Sequence, residues 1–313
     1  MDYLGLTQGS LTDGTPKDKW VADQMAYKVE KSMTQNTPVD LLSGRWILAS
    51  LACALLVIST HAHAAETPLT FGIFPYLSHQ QIVSNFTPLR DYLQQVSSQK
   101  LTMSTASDFA SFRDRTKAGE YDIILTAPHL ARLAEKESRF QRIAITRYRV
   151  NAVILVPKDS PVQKLSDLRG KSLAVPPAAA MVTLLATELF RSKGMEPGRD
   201  FALREFGSIQ SSMVAPLRGD ADASAAGFVL WSNFEQKDKL RIIAKSAEVP
   251  GLIIMAHPRV PRAMVARLRK ALFAFGDTQE GKTYFATTGH GAWLPVDDAT
   301  MRSLDPYMRH ARD

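Results

Sequence analysis

Cysteine is almost absent from this 313-residue sequence, and its absence removes several kinds of chemistry. The only cysteine, Cys53, lies in an apolar run near the start of the chain. The chain beyond that run can form no disulfide, bind no metal through thiolates and use no cysteine nucleophile. The histidines after residue 64 also lack the HxH and HExxH spacings of metal sites, and there is no G-x-S-x-G motif. The sequence therefore predicts no catalytic residue, no metal site and no cofactor.

Long apolar runs are lacking as well. The segment from Trp46 to Ile58 is shorter than the ~20 residues that span a bilayer, and it leads into Ala62-His63-Ala64, a small-x-small site for signal peptidase. We predict a signal peptide over residues 45–64, with cleavage after Ala64 and export to the periplasm. If it stayed uncleaved, the segment would anchor the protein in a membrane. Residues 1–44 are predicted to be a disordered extension or the result of a misassigned start codon.

Runs of like charge are also missing, although the net charge is +7. The basic residues are dispersed, and this pattern does not predict binding to nucleic acid. A basic exported protein suits an anionic small molecule or an acidic partner. The length and the 45% hydrophobic content predict one or two domains with a real core. We expect a monomer.

Strand and helix patterns alternate from residue 69 onwards. Residues 69–76 form a strand pattern that Pro75 closes, and residues 82–96 have the apolar spacing of an amphipathic helix. A strand at 101–104, a helix at 109–118 and a strand at 123–126 complete a βαβαβ order. This order predicts an α/β lobe with a mainly parallel sheet, flanked by helices, that binds ligands at the carboxyl ends of its strands.

The second half of the sequence repeats this plan. A helix pattern that ends at a glycine, is followed by an acidic residue and then enters a strand occurs at Lys117–Asp122. The same order occurs again at Leu217–Asp222. We predict two α/β lobes joined by a two-strand hinge. Residues 65–150 and 256–313 form the first, discontinuous lobe, and residues 151–255 form the second lobe with the hinge strands. The crossings are expected near 151–156 and 250–255.

The stretch 171–194 has the clearest signal for a strand, a turn and a helix. Ser172–Val175 is an apolar strand, Pro176-Pro177 a turn, and residues 179–193 a helix that Gly194 ends. The first turn of such a helix presents free N–H groups and the positive end of the helix dipole, which suit an anion. An ordinary crossover helix with nothing bound would give the same pattern.

These motifs resemble those of the periplasmic phosphonate-, phosphite- and phosphate-binding proteins of ABC importers, which have the type II periplasmic binding protein fold. The resemblance covers most of residues 69–275 and rests on FGIFP, GEYDIIL, DSPVQKLSDLRGK and RGDADAS in that order. It implies an exported protein that closes two lobes over a small, anionic ligand and delivers it to an ABC transporter permease. A membrane sensor is the alternative partner, and an exported α/β hydrolase the alternative function.

The ligand positions that the resemblance implies depart from the family pattern. The hydroxyl-bearing turn of the family is here Ala178-Ala179-Ala180, and its tyrosine after the third strand is Thr126. A family histidine is replaced by Ile209-Gln210, and the acids that would bind a ligand amine fall near Val229 and Leu252. We therefore expect neither tight phosphonate binding nor an aminophosphonate. The prediction is a ligand with an apolar part against Phe109, Met181 and Ile209.

The candidate ligand contacts lie at strand ends and helix starts in both lobes. His129 follows the third strand and could donate to an anion, although single histidines are commonly surface residues. Ser211 is either a ligand contact or part of a helix cap, and the aromatic residues either sandwich the ligand or pack in the core. The set is Tyr76, Phe109, Thr126, His129, Ala178, Ala179, Ala180, Met181, Thr183, Ile209, Gln210 and Ser211.

Overall fold

The alternating pattern becomes two β-sheets, each covered by helices, in a computed structural model that describes residues 67–311. The predicted extension, signal peptide and cleavage site lie outside the described residues. Within residues 67–311, no helix combines the length and the apolar character needed to cross a bilayer. Each sheet and the helices packed on it are called a lobe below.

The first lobe contains the first and last elements of the described chain. Its strands are β1 (Leu69–Ile73), β2 (Leu101–Ser104), β3 (Ile123–Thr126), β4 (Gln141–Thr146), β10 (Ile253–Ala256) and β11 (Trp293–Leu294). Its helices are α1 (His79–Ser97), α2 (Phe109–Lys117), α3 (Pro128–Ser138), α7 (Arg262–Phe275), α8 (Gln279–Thr288), α9 (Asp298–Arg302) and a C-terminal 3-10 helix (Asp305–Ala311). The strand order is β11-β4-β10-β3-β1-β2, and β10 and β11 run opposite to the other four.

The second lobe is built from the chain between β4 and β10. Its strands are β5 (Ala152–Pro157), β6 (Ser172–Val175), β7 (Ala202–Glu205), β8 (Ala223–Gly227) and β9 (Leu240–Lys245). Its helices are α4 (Met181–Arg191), α5 (Ile209–Arg218) and α6 (Phe228–Ser232). The order is β7-β6-β8-β5-β9, in which β5 runs opposite to the rest. The predicted class, two α/β lobes, is confirmed, and both sheets are mixed, with four parallel and five antiparallel strand pairings between them.

The two copies of the repeated motif, Lys117–Asp122 and Leu217–Asp222, play the same structural role in each lobe: the glycine ends a helix, and the last aspartate connects two neighbouring strands. Gly119 and Gly219 end helices with φ of 74° and 81°, a region that glycine adopts without a Cβ clash. The acid of the first repeat, Asp122, accepts a hydrogen bond from Thr70 N at 2.7 Å, and Asp222 accepts one from Ser172 N at 2.8 Å. Each carboxylate thus fixes the start of the neighbouring strand. The strand starts lie at the edge of each sheet that is opposite to the cleft.

Two crossing segments connect the lobes and pair with each other. Val150 and Val249 exchange backbone hydrogen bonds of 3.0 and 2.8 Å. A Cβ on Gly251 would lie 2.0 Å from Tyr148 O. Only glycine at position 251 therefore lets the second segment run this close to the first. The crossings were predicted near 151–156 and 250–255, and those apolar runs are largely the sheet strands β5 and β10. The crossings are the shorter segments just before them.

The helices differ from their predicted bounds mainly at the ends. The helix expected at 179–193 is α4, which is shorter at both ends, and the one expected at 82–96 begins at His79 because Ser78 and Gln81 form a capping box. The polar end of the chain, where the sequence favours one helix near 299–310, is divided into α9 and the 3-10 helix. Pro306 has no N–H to donate to Arg302 O, so the α-helical hydrogen bonds of α9 cannot continue through it.

Candidate functional site

A cavity of about 70 Å³ lies between the lobes, where the carboxyl ends of β1, β3, β6 and β8 meet. It is small beside the roughly 300–1,000 Å³ of ordinary ligand pockets. None of the residues that line it is charged. They come from both lobes and from the crossing segments, and include Phe74, Tyr76, Phe109, Tyr148, Val150, Met181, Val182, Ile209, Val229, Leu230, Leu252 and His290.

An aromatic wall forms the first-lobe side of the cavity. The rings of Phe74 and Phe109 lie 4.3 Å apart, and Phe74 stacks on Tyr76 at 6.5 Å. Met181 and Ile209, at the starts of α4 and α5, face the wall from the second lobe. Five predicted contacts therefore line one cavity: Tyr76, Phe109, Ala180, Met181 and Ile209.

The alanine turn packs against the first lobe. Ala180 caps α4 without any side-chain hydrogen bond and is 3% exposed, in the same apolar cluster as Phe74 and Phe109. Ala179 also contacts this cluster, whereas Ala178 is exposed on the turn. The lobes are thus closed on each other at this turn, and methyl groups occupy the positions next to the free N–H groups of α4.

Two predicted hydrogen-bonding residues are engaged by backbone carbonyls at this closure. His129, fully buried at the start of α3, bonds Ala179 O through Nε2 at 2.9 Å, and Nε2 must donate because a carbonyl only accepts. This bond joins the two lobes. Thr183 donates its hydroxyl to Pro176 O at 3.0 Å and so stabilises the turn before α4.

The remaining candidates lie away from the inner cavity. Thr126 is buried and lines a separate groove of about 310 Å³ between α2 and α3. Ser211 forms a capping box with Ser208 at the start of α5. Gln210 lines a wider outer cleft of about 1020 Å³, which shares Tyr76, Ile209 and Leu230 with the inner cavity. The inner cavity and the outer cleft therefore adjoin along these three residues.

Sequence reasoning missed a buried polar cluster in the wall. His290 lies 2.8 Å from Tyr284 OH through Nδ1 and 3.3 Å from Tyr76 OH through Nε2. Burial lowers the pKa of His290 to about 3, so the ring is neutral, and it raises the pKa of both tyrosines. The only sequence signal is a single histidine between two glycines, and single histidines are commonly surface residues. Tyr148 was missed because it belongs to a crossing segment.

Two further lining residues bear on ligand charge. Val229 and Leu252, the positions where acids that bind a ligand amine were expected by resemblance, both line the cavity. Their apolar side chains offer no partner to an ammonium group. The observed lining is therefore apolar at the positions that the resemblance had indicated.

Two lobes that close over a cleft and are joined by paired crossing segments define the two-lobed class of solute-binding proteins. A family model described as "ABC transporter, phosphonate, periplasmic substrate-binding protein" matches residues 71–301. The chain belongs to this family of periplasmic substrate-binding proteins.

Solved structures with the same fold are distant in sequence. PhnD1 from Prochlorococcus marinus, in complex with methylphosphonate, has a TM-score of 0.70 at 11% identity and covers 79% of this chain and 99% of its own. A binding protein component of an ABC phosphonate transporter from Pseudomonas aeruginosa has a TM-score of 0.68 at 18% identity. The match covers 78% of this chain and 88% of the Pseudomonas chain. A Xanthomonas citri protein bound to ATP has a TM-score of 0.64 at 20% identity. The match covers 79% of this chain and 97% of the Xanthomonas chain. At these identities the likeness concerns the fold.

Proposed function

We propose that this protein is exported, is cleaved after Ala64, and acts in the periplasm as a monomer that captures a small organic solute without turning it over. The solute is then delivered to the permease of an ABC importer. Family membership supports the solute-binding role, and the apolar run before Ala64 supports export.

The uncharged lining of the inner cavity carries the proposal about the ligand. A bare ion in an apolar site loses its hydration without gaining a partner, so a compact dianion is poorly matched to this lining. An alkyl or aryl group is well matched, because Phe109, Met181 and Ile209 surround the same space. We therefore infer a ligand with an apolar part in the cavity and one oxygen-bearing group near the backbone N–H groups at the start of α4.

The alanine turn argues for weak binding of the simplest phosphonates. A hydrogen bond to a charged group contributes about 1.5–3 kcal/mol. Losing even two hydroxyl donors would weaken binding by roughly two to four powers of ten, at about 1.4 kcal/mol per tenfold. Methylphosphonate, the ligand in the Prochlorococcus relative, offers too little apolar surface to compensate.

Isothermal titration calorimetry with methyl-, butyl- and hexylphosphonate tests the proposal. Each methylene group buried in the cleft contributes about 0.8 kcal/mol, or roughly fourfold in affinity. We expect affinity to rise along the series and 2-aminoethylphosphonate to bind no better than methylphosphonate. The variant Ile209→Ala should flatten the rise, and Val83→Ala, on an exposed face of α1, should leave it unchanged. Submicromolar binding of methylphosphonate, or no dependence on chain length, would contradict the proposal.

A further inference from the structure

Three polar side chains form a row that leads from the core of the first lobe to the cavity. Tyr284, on α8, is 2% exposed, and His290, which follows α8, is 3% exposed. Tyr76, after β1, is half-buried and lines both the inner cavity and the outer cleft. The hydroxyls of the two tyrosines approach opposite nitrogens of the imidazole.

The direction of the hydrogen bonds in this row follows from the protons available. A neutral imidazole has one N–H donor and one acceptor nitrogen. Among the described residues, the Tyr284 hydroxyl has no hydrogen-bond partner other than Nδ1. If Nδ1 carried the proton, the buried hydroxyl of Tyr284 would have to accept and its own proton would have no acceptor, which is costly. Tyr284 therefore donates to Nδ1, and Nε2–H donates to Tyr76 OH.

This direction leaves the hydroxyl proton of Tyr76 unused. Its oxygen accepts from His290, and no other hydrogen bond of this hydroxyl occurs among residues 67–311. The proton is therefore available to an acceptor in the inner cavity, which Tyr76 lines. Donors coupled in a row polarise one another in a low-dielectric surrounding, which strengthens the last donor.

We propose that Tyr76 is a specificity-determining hydrogen-bond donor for the ligand, with its polarity fixed by His290 and Tyr284 as positioning residues. It selects solutes that present an oxygen acceptor to the aromatic wall, and it disfavours solutes that present only a donor, such as an ammonium group. This inference rests on the proposed function, since it names the polarity of the ligand group at the same site.

The direction of the row can be tested without any ligand. Nitrogen-15 NMR of His290 in the mature protein should show a protonated Nε2 and an unprotonated Nδ1. In Tyr284→Phe the buried donor to Nδ1 is gone, and we expect the tautomer population to shift. A protonated Nδ1 in the wild-type protein would overturn the inference.

The ligand role is tested by calorimetry with hexylphosphonate and hexylammonium as probes. We expect hexylphosphonate to bind and hexylammonium not to. Tyr76→Phe should weaken hexylphosphonate binding about tenfold or more, the range for a hydrogen bond to a charged group. Tyr284→Phe, which touches no ligand, should weaken it similarly, and the double variant should be no worse than Tyr76→Phe alone. Tyr92→Phe, elsewhere in the same core, is the matched control.

The outcomes separate this inference from the proposed function. If wild-type protein binds hexylphosphonate but Tyr76→Phe binds it equally well, the inference alone is wrong. If wild-type protein binds no alkylphosphonate, the proposed function is wrong and the ligand role of Tyr76 is wrong with it. Additive losses in the double variant would show that Tyr284 does not act through Tyr76.

Discussion

Gly289 lies close to Val229 of the second lobe, beside the cavity. It ends α8 with a φ of 71°, and a Cβ there would lie 2.5 Å from Cγ1 of Val229 in the second lobe. Gly289→Ala should therefore oppose closure and raise the radius of gyration in small-angle X-ray scattering. The matched control is Gly291→Ala, which carries similar backbone strain (φ 78°) but would place its Cβ 3.4 Å from Arg147 of the first lobe.

Adding Val229→Ala to the Gly289→Ala variant should restore much of the closure, because it removes the atom that the new methyl group meets. If Gly289→Ala and Gly291→Ala behave alike, backbone strain explains the effect and the close approach of the lobes does not.

His290 makes stability depend on pH at the residue scale. Its pKa is about 3 in the folded protein and about 6.5 when unfolded, so in between only the unfolded chain takes up the proton. Stability is therefore complete above pH 6.5 and falls as the pH decreases towards 3, by up to about 1.4 kcal/mol per pH unit. We expect urea unfolding at pH 6.5 and 5 to show a loss of roughly 2 kcal/mol from His290. His290→Gln should reduce the loss to the smaller part that comes from His257, whose pKa burial also lowers. His79→Gln, an exposed histidine, should retain the loss.

At the scale of elements, one carboxylate attaches the C-terminal 3-10 helix to α3. Asp305 accepts two hydrogen bonds, of 2.6 and 3.2 Å, from Arg132, whose side chain is 6% exposed. Asp305→Asn should lower the free energy of unfolding, because the buried guanidinium of Arg132 loses one of its two charged partners and keeps only Glu135.

Asp298→Asn is the matched control for this contact. Asp298 pairs with Arg142 at 2.6 Å but is 72% exposed, and exposed ion pairs contribute little to stability. Equal losses in the two variants, measured by urea unfolding, would show that the 3-10 helix is held by its apolar contacts alone.

Elements with a one-sided apolar pattern could be predicted from the sequence, whereas those without one could not. The stripe of α1 and the strand patterns of β2, β3 and β6 gave bounds close to those observed. Helix α3 was missed because Pro128–Ala134 are buried on all sides and show no stripe. Helix α8 was missed for the opposite reason, since only Gly281 and Tyr284 are buried.

For the candidate site, the sequence could indicate strand ends and helix starts but could not indicate where each side chain points. Phe109, Ala180, Met181 and Ile209 line the cavity, because their side chains have no hydrogen-bonding group that a nearer partner could engage. The hydroxyls of Thr183 and Ser211 find nearer partners in their own turns. His290 comes from a segment far away in sequence, and only the folded chain brings it to Tyr76.

At the scale of the whole molecule, Tyr307 bridges the lobes on the side of the 3-10 helix. Its hydroxyl donates to Glu188 of α4 at 3.0 Å, and burial together with this carboxylate raises its pKa to about 12. Tyr307→Phe should favour the open form modestly, by less than about tenfold, because Glu188 is exposed. Small-angle scattering of Tyr307→Phe, Glu188→Gln and the double variant checks this. If the effects of Tyr307→Phe and Glu188→Gln on the radius of gyration simply add in the double variant, the Tyr307–Glu188 hydrogen bond does not hold the lobes together.

The position of β10 determines the order in which the lobes can be completed as the chain is made. It lies between β3 and β4, which do not pair with each other, yet it follows the entire second lobe in sequence. Until residues 253–256 emerge, β1–β3 and β4 are separate fragments with open edges, while the second sheet already has all its strands. Pairing of strands so distant in sequence is slow because a long loop must close first. The first lobe is therefore begun first and finished last, and its exposed strand edges are a hazard for aggregation until then.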